Sequence, residues 1–269
     1  MADKAFAPEP TGSVLTGPTR LERDGELVGV VARAPDAAVA RWRRALLRYP
    51  MRDDGARRHA GFNNQSQVVG YLGPSERLKR IACAPCNVAL TRPAEHAAVA
   101  AIAGDLADLM REECPDGAAV DGELVDRIHP DWRLPGGLFT SGIVNRDSTL
   151  PYHRDLNNLP GAWSAMAVLR RGVRGGHLHL PELDVTLACS DGDVVFFRSQ
   201  ELEHAVTPLR RRARDGYRIT VVFYVARRLT ACGPAAEEAE RAGRLRTATD
   251  ADLIERHRRR GLLPPTANY

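Results

Sequence analysis

Lysine is nearly missing from this chain of 269 residues: of its 38 basic residues only Lys4 and Lys79 are lysine, and the rest are arginine. The arginine excess has two readings, the codon habit of a high-GC genome or recognition of phosphates by paired hydrogen bonds. Long apolar runs are missing too. None approaches the ~20 residues that cross a bilayer, which argues against a membrane helix and membrane association. The opening MADKAFAPEP has no apolar signal core, so a cytoplasmic protein is expected. Cysteine is sparse and odd in number, five in all, so no disulfide scaffold is expected either. Cys83-x-x-Cys86 could open a zinc site, but no second pair completes it, and it reads as incidental. Also missing are G-x-G-x-x-G after a strand, G-x-x-x-x-G-K-[ST], H-E-x-x-H and G-x-S-x-G. Rossmann dehydrogenation, nucleotide hydrolysis and the commonest hydrolase plans are therefore without support.

What is present is an ordinary packed composition, 43% apolar and 27% charged, enough for one large domain. Residues 1–20 read as a flexible lead-in, 21–230 as one domain and 231–269 as a helical extension. Val39, Trp42, Leu46 and Leu47 recur at helical spacing after a capping Asp36. A second helix is expected from Pro93 to about Glu113, with Val99, Ile102, Leu106 and Leu109 buried and Pro115 stopping it. After Leu134 seven short β-rich runs alternate with turn residues, from 138–145 to 217–225. The expected class is α+β, with N-terminal helices packed on an antiparallel sandwich or barrel and a helical tail.

The chemistry lies in Pro151-Tyr-His-Arg-Asp-Leu-Asn-Asn158. His153 and Asp155, two apart at a strand end, project to one face. With His204, at the head of a later strand, they make two imidazoles and a carboxylate on one face of an octahedron. That set leaves open positions, as non-haem Fe(II) oxygenases require. Singly, each of the three would be read as a structural histidine or a turn aspartate. Arg218 and Thr220, again two apart, offer a guanidinium and a hydroxyl for the carboxylate of an acidic cosubstrate.

HRD, the GG-x-L-x-L-P-E-L run at 175–183, GDVVFF, His204 and RIT together resemble an iron- and 2-oxoglutarate-dependent dioxygenase over about residues 138–228. The resemblance implies a double-stranded β-helix (jelly-roll, cupin-like) core. It also implies Fe(II) on His153, Asp155 and His204, and 2-oxoglutarate and O2 as cosubstrates, with Arg218 and Thr220 on 2-oxoglutarate. Succinate and CO2 would be released. HRDLNN is similar to the H-x-D-x-x-N pattern of the TET/JBP branch, which oxidises the 5-methyl group of pyrimidines in DNA. That likeness implies 5-methylcytosine DNA as partner and 5-hydroxymethylcytosine as product, with Asn158 on the base. The sequence departs from the pattern at Asn157, where those enzymes carry a second histidine.

Arg171, Arg174, Arg211 and Arg212 lie at the ends of core strands and could hold phosphates beside an extruded base. Phe62, Asn63 and Asn64 could add stacking and amide contacts. His177 and His179 alternate along one strand and take structural or substrate-side roles. Two other readings stand beside this one: the same chemistry on a small molecule, and a non-catalytic metal-binding β-barrel.

Overall fold

The computed structural model describes residues 12–53, 65–78, 80–244, 252 and 255. Strands β1 (Ser13–Leu15), β2 (Thr19–Arg23) and β3 (Glu26–Arg33) come first, then helix α1 (Asp36–Arg48), β4 (Arg52–Asp53), β5 (Gln65–Leu72) and β6 (Ala84–Pro85). Three helices follow: α2 (Asn87–Thr91), α3 (Pro93–Glu113) and α4 (Pro115–Val125). The second half holds β7 (Ser141–Arg146), β8 (Ser164–Arg171), β9 (Val173–Gly175), β10 (Leu178–Leu180) and β11 (Val185–Leu187). It closes with β12 (Asp193–Phe197), β13 (Ala205–Val206), β14 (Leu209–Arg211) and β15 (Tyr217–Tyr224).

The strands form a large sheet in the order β2-β3-β12-β8-β15-β7-β5-β4, with β6 on β5, and a small sheet β1-β11-β10-β13. A separate ribbon pairs β9 with β14. The period of two sorts the large sheet's side chains. Val194, Phe196, Ala165, Ala167, Leu169, Ile219, Val221 and Phe223 share a buried cluster with Trp42, Leu46, Val99, Ile102 and Leu106 of α1 and α3. Their neighbours Val195, Phe197, Met166 and Val168 pack instead with Leu178, Leu180 and Leu187 of the small sheet. Each central strand is thus buried on both faces, and this is the expected jelly-roll core with helices on its outer side. On β15 the residues alternate the same way, which leaves Arg218, Thr220, Val222 and Tyr224 on the face toward the small sheet.

Several expectations need correction. Residues 13–20 are not a loose lead-in: β1 runs parallel to β11 and Thr19 starts β2, while residues 1–11 lie outside the described residues. Nor do helices come first, since β3 lies against β12 in the large sheet. Its Val28-Gly-Val-Val-Ala run is buried throughout, so it shows no alternation to reveal a strand. Asp36 is the first helical residue rather than a cap; Pro35 precedes it, and the acidic side chain suits the positive end of the helix. Leu47 is exposed, and Leu109 is only partly buried, with Ala103 and Met110 completing the stripe of α3. Helix α3 does end at Glu113, as expected, but Pro115 also begins a further helix, α4, at its first turn after Cys114 breaks the path.

Cys83 and Cys232 form a disulfide across a sequence separation of 149, contrary to the expectation of none. Its Cα atoms stand 6.0 Å apart, within the ordinary range for a bridge. The bond ties the segment after β15 to the one before α2. Beside it, Glu238 of the helix over 235–244 accepts the Cys83 backbone N–H at 2.7 Å. Among the described residues no helix is long and apolar enough to cross a membrane.

Candidate metal and cosubstrate site

The two histidine segments are held together by the backbone. The N–H of His153 donates to the His204 carbonyl and the His204 N–H to the His153 carbonyl, each at 3.0 Å. The rings stand 4.3 Å apart, centre to centre. Each ring is turned by a local device: His153 Nδ1–H donates to the Pro151 carbonyl at 2.8 Å and His204 Nδ1–H to the Leu202 carbonyl at 2.9 Å. A carbonyl can only accept, so the proton lies on Nδ1 and each Nε2 keeps a free lone pair. Those Nε2 atoms lie 3.7 and 3.9 Å from the two carboxylate oxygens of Asp155. One donor atom from each residue falls within 4.8 Å of the others. Burial, then the nearby His153, lowers the His204 pKa against the pull of Asp155, which favours the neutral ligand form. His204 is buried, while His153 and Asp155 are half-buried and reachable.

Asp155 is positioned from its backbone. Its N–H donates to the Ser199 carbonyl, and its carbonyl accepts the N–H of Asn158, both at 3.0 Å. The Asn158 side chain is buried, with Nδ2 donating to Ser164 Oγ and Ser199 Oγ at 3.0 Å each. Both amide hydrogens are therefore committed inside the protein, and only Oδ1 remains as the side chain's acceptor.

Arg218 is the chief electrostatic feature. It is 2% exposed, yet its Nε and Nη2 have no hydrogen-bond partner among the described residues. Its main chain is fixed, since Arg218 N–H donates to Asp147 Oδ1 and Asp147 N–H to the Arg218 carbonyl. Gly176 makes room for the guanidinium: at φ 67° a Cβ there would lie 2.7 Å from Arg218 Cδ. Burial, with Arg170 alongside, lowers the Arg218 pKa to about 10, so it is still a cation at neutral pH. An uncompensated buried cation costs several kcal/mol. A carboxylate of a dicarboxylic acid supplies what those two nitrogens lack. Thr220, on the same face two residues on, is buried as well.

His177 accepts a 3.3 Å contact from Arg170, and burial, then Arg170 and Arg218, lower its pKa to about 4. It is a neutral imidazole beside Arg218. His179 is paired through Nδ1 with the hydroxyl of Tyr152 at 2.7 Å. Sequence reasoning missed Tyr224, whose phenol is pushed up to about 12 by burial and by Asp155. The alternation that singled out Arg218 and Thr220 reaches Tyr224 on the same strand face.

Among the basic residues, Arg171 is paired with Asp215 and Arg211 with Asp147. Arg174 on β9 and Arg212 just beyond β14 are exposed. Phe62, Asn63 and Asn64 lie outside the described residues.

A two-histidine, one-carboxylate cluster and a buried arginine unpartnered among the described residues, between the sheets of a jelly roll, are the arrangement expected of an iron- and 2-oxoglutarate-dependent oxygenase. Residues 107–227 match the Tet_JBP family model, described as the oxygenase domain of the 2OGFeDO superfamily. That span is similar to TET/JBP-type oxygenase domains, whose superfamily uses Fe(II), 2-oxoglutarate and O2. It is 30% identical over 154 residues to the bifunctional helicase and thymine dioxygenase JBP2 of Trypanosoma brucei brucei (strain 927/4 GUTat10.1). That match covers 56% of this chain and spans 14% of the length of the relative. The structure of NgTET1 in complex with 5mC DNA aligns with a TM-score of 0.55 at 12% identity, over 82% of this chain and 84% of that one. That likeness establishes the shared fold.

Proposed function

We propose that this protein oxidises the 5-methyl group of 5-methylcytosine in DNA to 5-hydroxymethylcytosine. The observation that carries the chemistry is Arg218, a buried cation with two unpartnered nitrogens on the sheet face that also bears Tyr224, which feels the charge of Asp155. His153, Asp155 and His204 would hold Fe(II); Arg218, helped by Thr220, would hold 2-oxoglutarate. Together iron and 2-oxoglutarate supply the oxidising power: O2 places one oxygen on the methyl carbon and one in succinate, and CO2 leaves. The protein's own residues orient the ligands, neutralise the cosubstrate's charge and keep that charge out of water. DNA is supported by the relatives, one called a thymine dioxygenase and the other solved with 5mC DNA. The base would leave the duplex to bring its methyl group to the metal, with Asn158 Oδ1 accepting from the cytosine amino group. Arg174 and Arg212 would contact phosphates, joined by Arg171 and Arg211 from their carboxylate partners. This reading places the protein in the cytoplasm.

The JBP2 match favours a second substrate, the 5-methyl group of thymine. Both are tested by loading the protein with Fe(II) without oxygen, then adding O2, 2-oxoglutarate and DNA with or without 5-methylcytosine. The DNA is digested to nucleosides and weighed. A gain of one oxygen on 5-methyldeoxycytidine that needs 2-oxoglutarate is the expected result, and a gain on thymidine selects the second reading. Succinate without any change in the DNA would overturn both. Arg174→Glu with Arg212→Glu, which leaves the Asp147 contacts alone, should flatten the salt dependence of DNA binding by about two phosphate contacts.

A further inference from the structure

The Leu-Pro-Glu-Leu run after β10 has no part in the site so far. It forms a tight turn over Pro181–Leu183 that ends with Asp184 at φ 50°. Glu182 of that turn reaches both ligand-bearing segments. Its Oε1 accepts from Arg154 Nη2 at 2.7 Å and from the Glu203 backbone N–H at 3.0 Å, while Oε2 accepts from Arg23 Nη1 at 3.0 Å. Arg154 stands between the ligands His153 and Asp155, and Glu203 immediately precedes the ligand His204. One carboxylate oxygen thus touches both segments, on top of the backbone pair between His153 and His204.

We propose that Glu182 is a positioning residue that fixes the spacing of the three iron ligands, with Arg23 of β2 holding it from the far side. The inference rests on the reading of His153, Asp155 and His204 as an iron site. Glu182, Arg154 and Arg23 are all partly exposed, at 28%, 49% and 31%. Such pairs add little to global stability. Their effect falls on the geometry of the ligands, where loss of an outer partner weakens metal binding about 10- to 100-fold.

The test is anaerobic titration of Fe(II), and of Co(II) followed by its visible absorption, into wild type, Glu182→Ala, Glu182→Gln, Arg154→Ala and His153→Ala. The expected result is about 10- to 100-fold weaker Fe(II) binding and an altered Co(II) spectrum in Glu182→Ala, with the melting temperature of the metal-free protein unchanged. Glu182→Gln keeps one carbonyl acceptor and should recover part of the loss. Arg154→Ala, which removes one leg of the same contact, should reproduce part of it. Wild-type affinity and an unchanged Co(II) spectrum in Glu182→Ala would overturn the proposal. If Glu182→Ala fails to fold, the Fe(II) affinities of Glu182→Gln and Arg154→Ala decide: both at wild-type strength overturn it. Undiminished Fe(II) binding by His153→Ala would instead overturn the iron site itself.

Discussion

The cluster of His153, Asp155 and His204 and the buried Arg218 are built on opposite principles. At the cluster each imidazole is already oriented, its spare nitrogen donating to the carbonyl two residues earlier in the chain. At Arg218 the main chain is pinned by Asp147, but two side-chain nitrogens are sealed from water with no partner among the described residues. The first arrangement is complete in its protein contacts and needs only an ion. The second carries a desolvation cost in the free protein that a bound anion would remove.

The largest expected effect breaks the cluster. His153→Ala or Asp155→Ala should abolish 2-oxoglutarate-dependent succinate formation and weaken Fe(II) binding. Succinate release at the wild-type rate from either variant would show that these residues do not hold the working metal. Arg218→Met sharpens the comparison from the other end. Removing one partner of a buried, hydrogen-bonded charge pair costs about 2–5 kcal/mol, so the 2-oxoglutarate requirement should rise about 30-fold to several thousandfold. The ligand-free variant should melt above wild type, because a buried charge unpaired among the described residues has been replaced by an apolar chain of similar length. Adding 2-oxoglutarate should raise the melting temperature of wild type and leave the variant's unmoved. A variant that melts lower without ligand, yet keeps its cosubstrate requirement, would mean that Arg218 is structural.

The same contrast explains what could be read from sequence. His153 and Asp155 were legible because their geometry is local, a spacing of two at a strand end. Arg218 and Thr220 were legible because a strand's alternation says which residues share a face. His204 was found as the one histidine at the head of a later strand, and the structure sets it opposite His153. Glu182 was not legible as a contact of both ligand segments, since its partners Arg23, Arg154 and Glu203 are brought to it only by the fold. β3 escaped for a related reason: a strand buried on both faces loses the apolar–polar rhythm. Asn158 stands between these cases, its position evident and its commitment to Ser164 and Ser199 set by the folded chain. The Cys83–Cys232 pairing, across 149 residues, has no local signature.

The smallest effect tests whether an unpartnered buried ionisable group always marks a ligand site. Asp121 of α4 is fully buried, with Oδ1 accepting the Trp163 N–H at 2.9 Å and Oδ2 unpartnered among the described residues. Burial raises its pKa well above the ordinary aspartate value, against the weaker opposing effect of that hydrogen bond. A carboxyl group escapes by keeping its proton, an escape closed to arginine at neutral pH. The sign follows from proton counting. Below the ordinary aspartate value both folded and unfolded chains hold the proton, and the residue contributes no pH dependence. As pH rises above it, the unfolded chain releases the proton while the folded chain retains it, so stability falls until the raised folded pKa is passed. Asp121→Asn keeps the Oδ1 acceptor and cannot ionise. It should therefore melt several degrees above wild type at about pH 8, with the gap closing toward about pH 4. Its 2-oxoglutarate requirement should not change. A gap that is constant with pH would show that Asp121 is ionised in the folded state and has a partner after all, which would weaken the case for reading Arg218 by its lack of one.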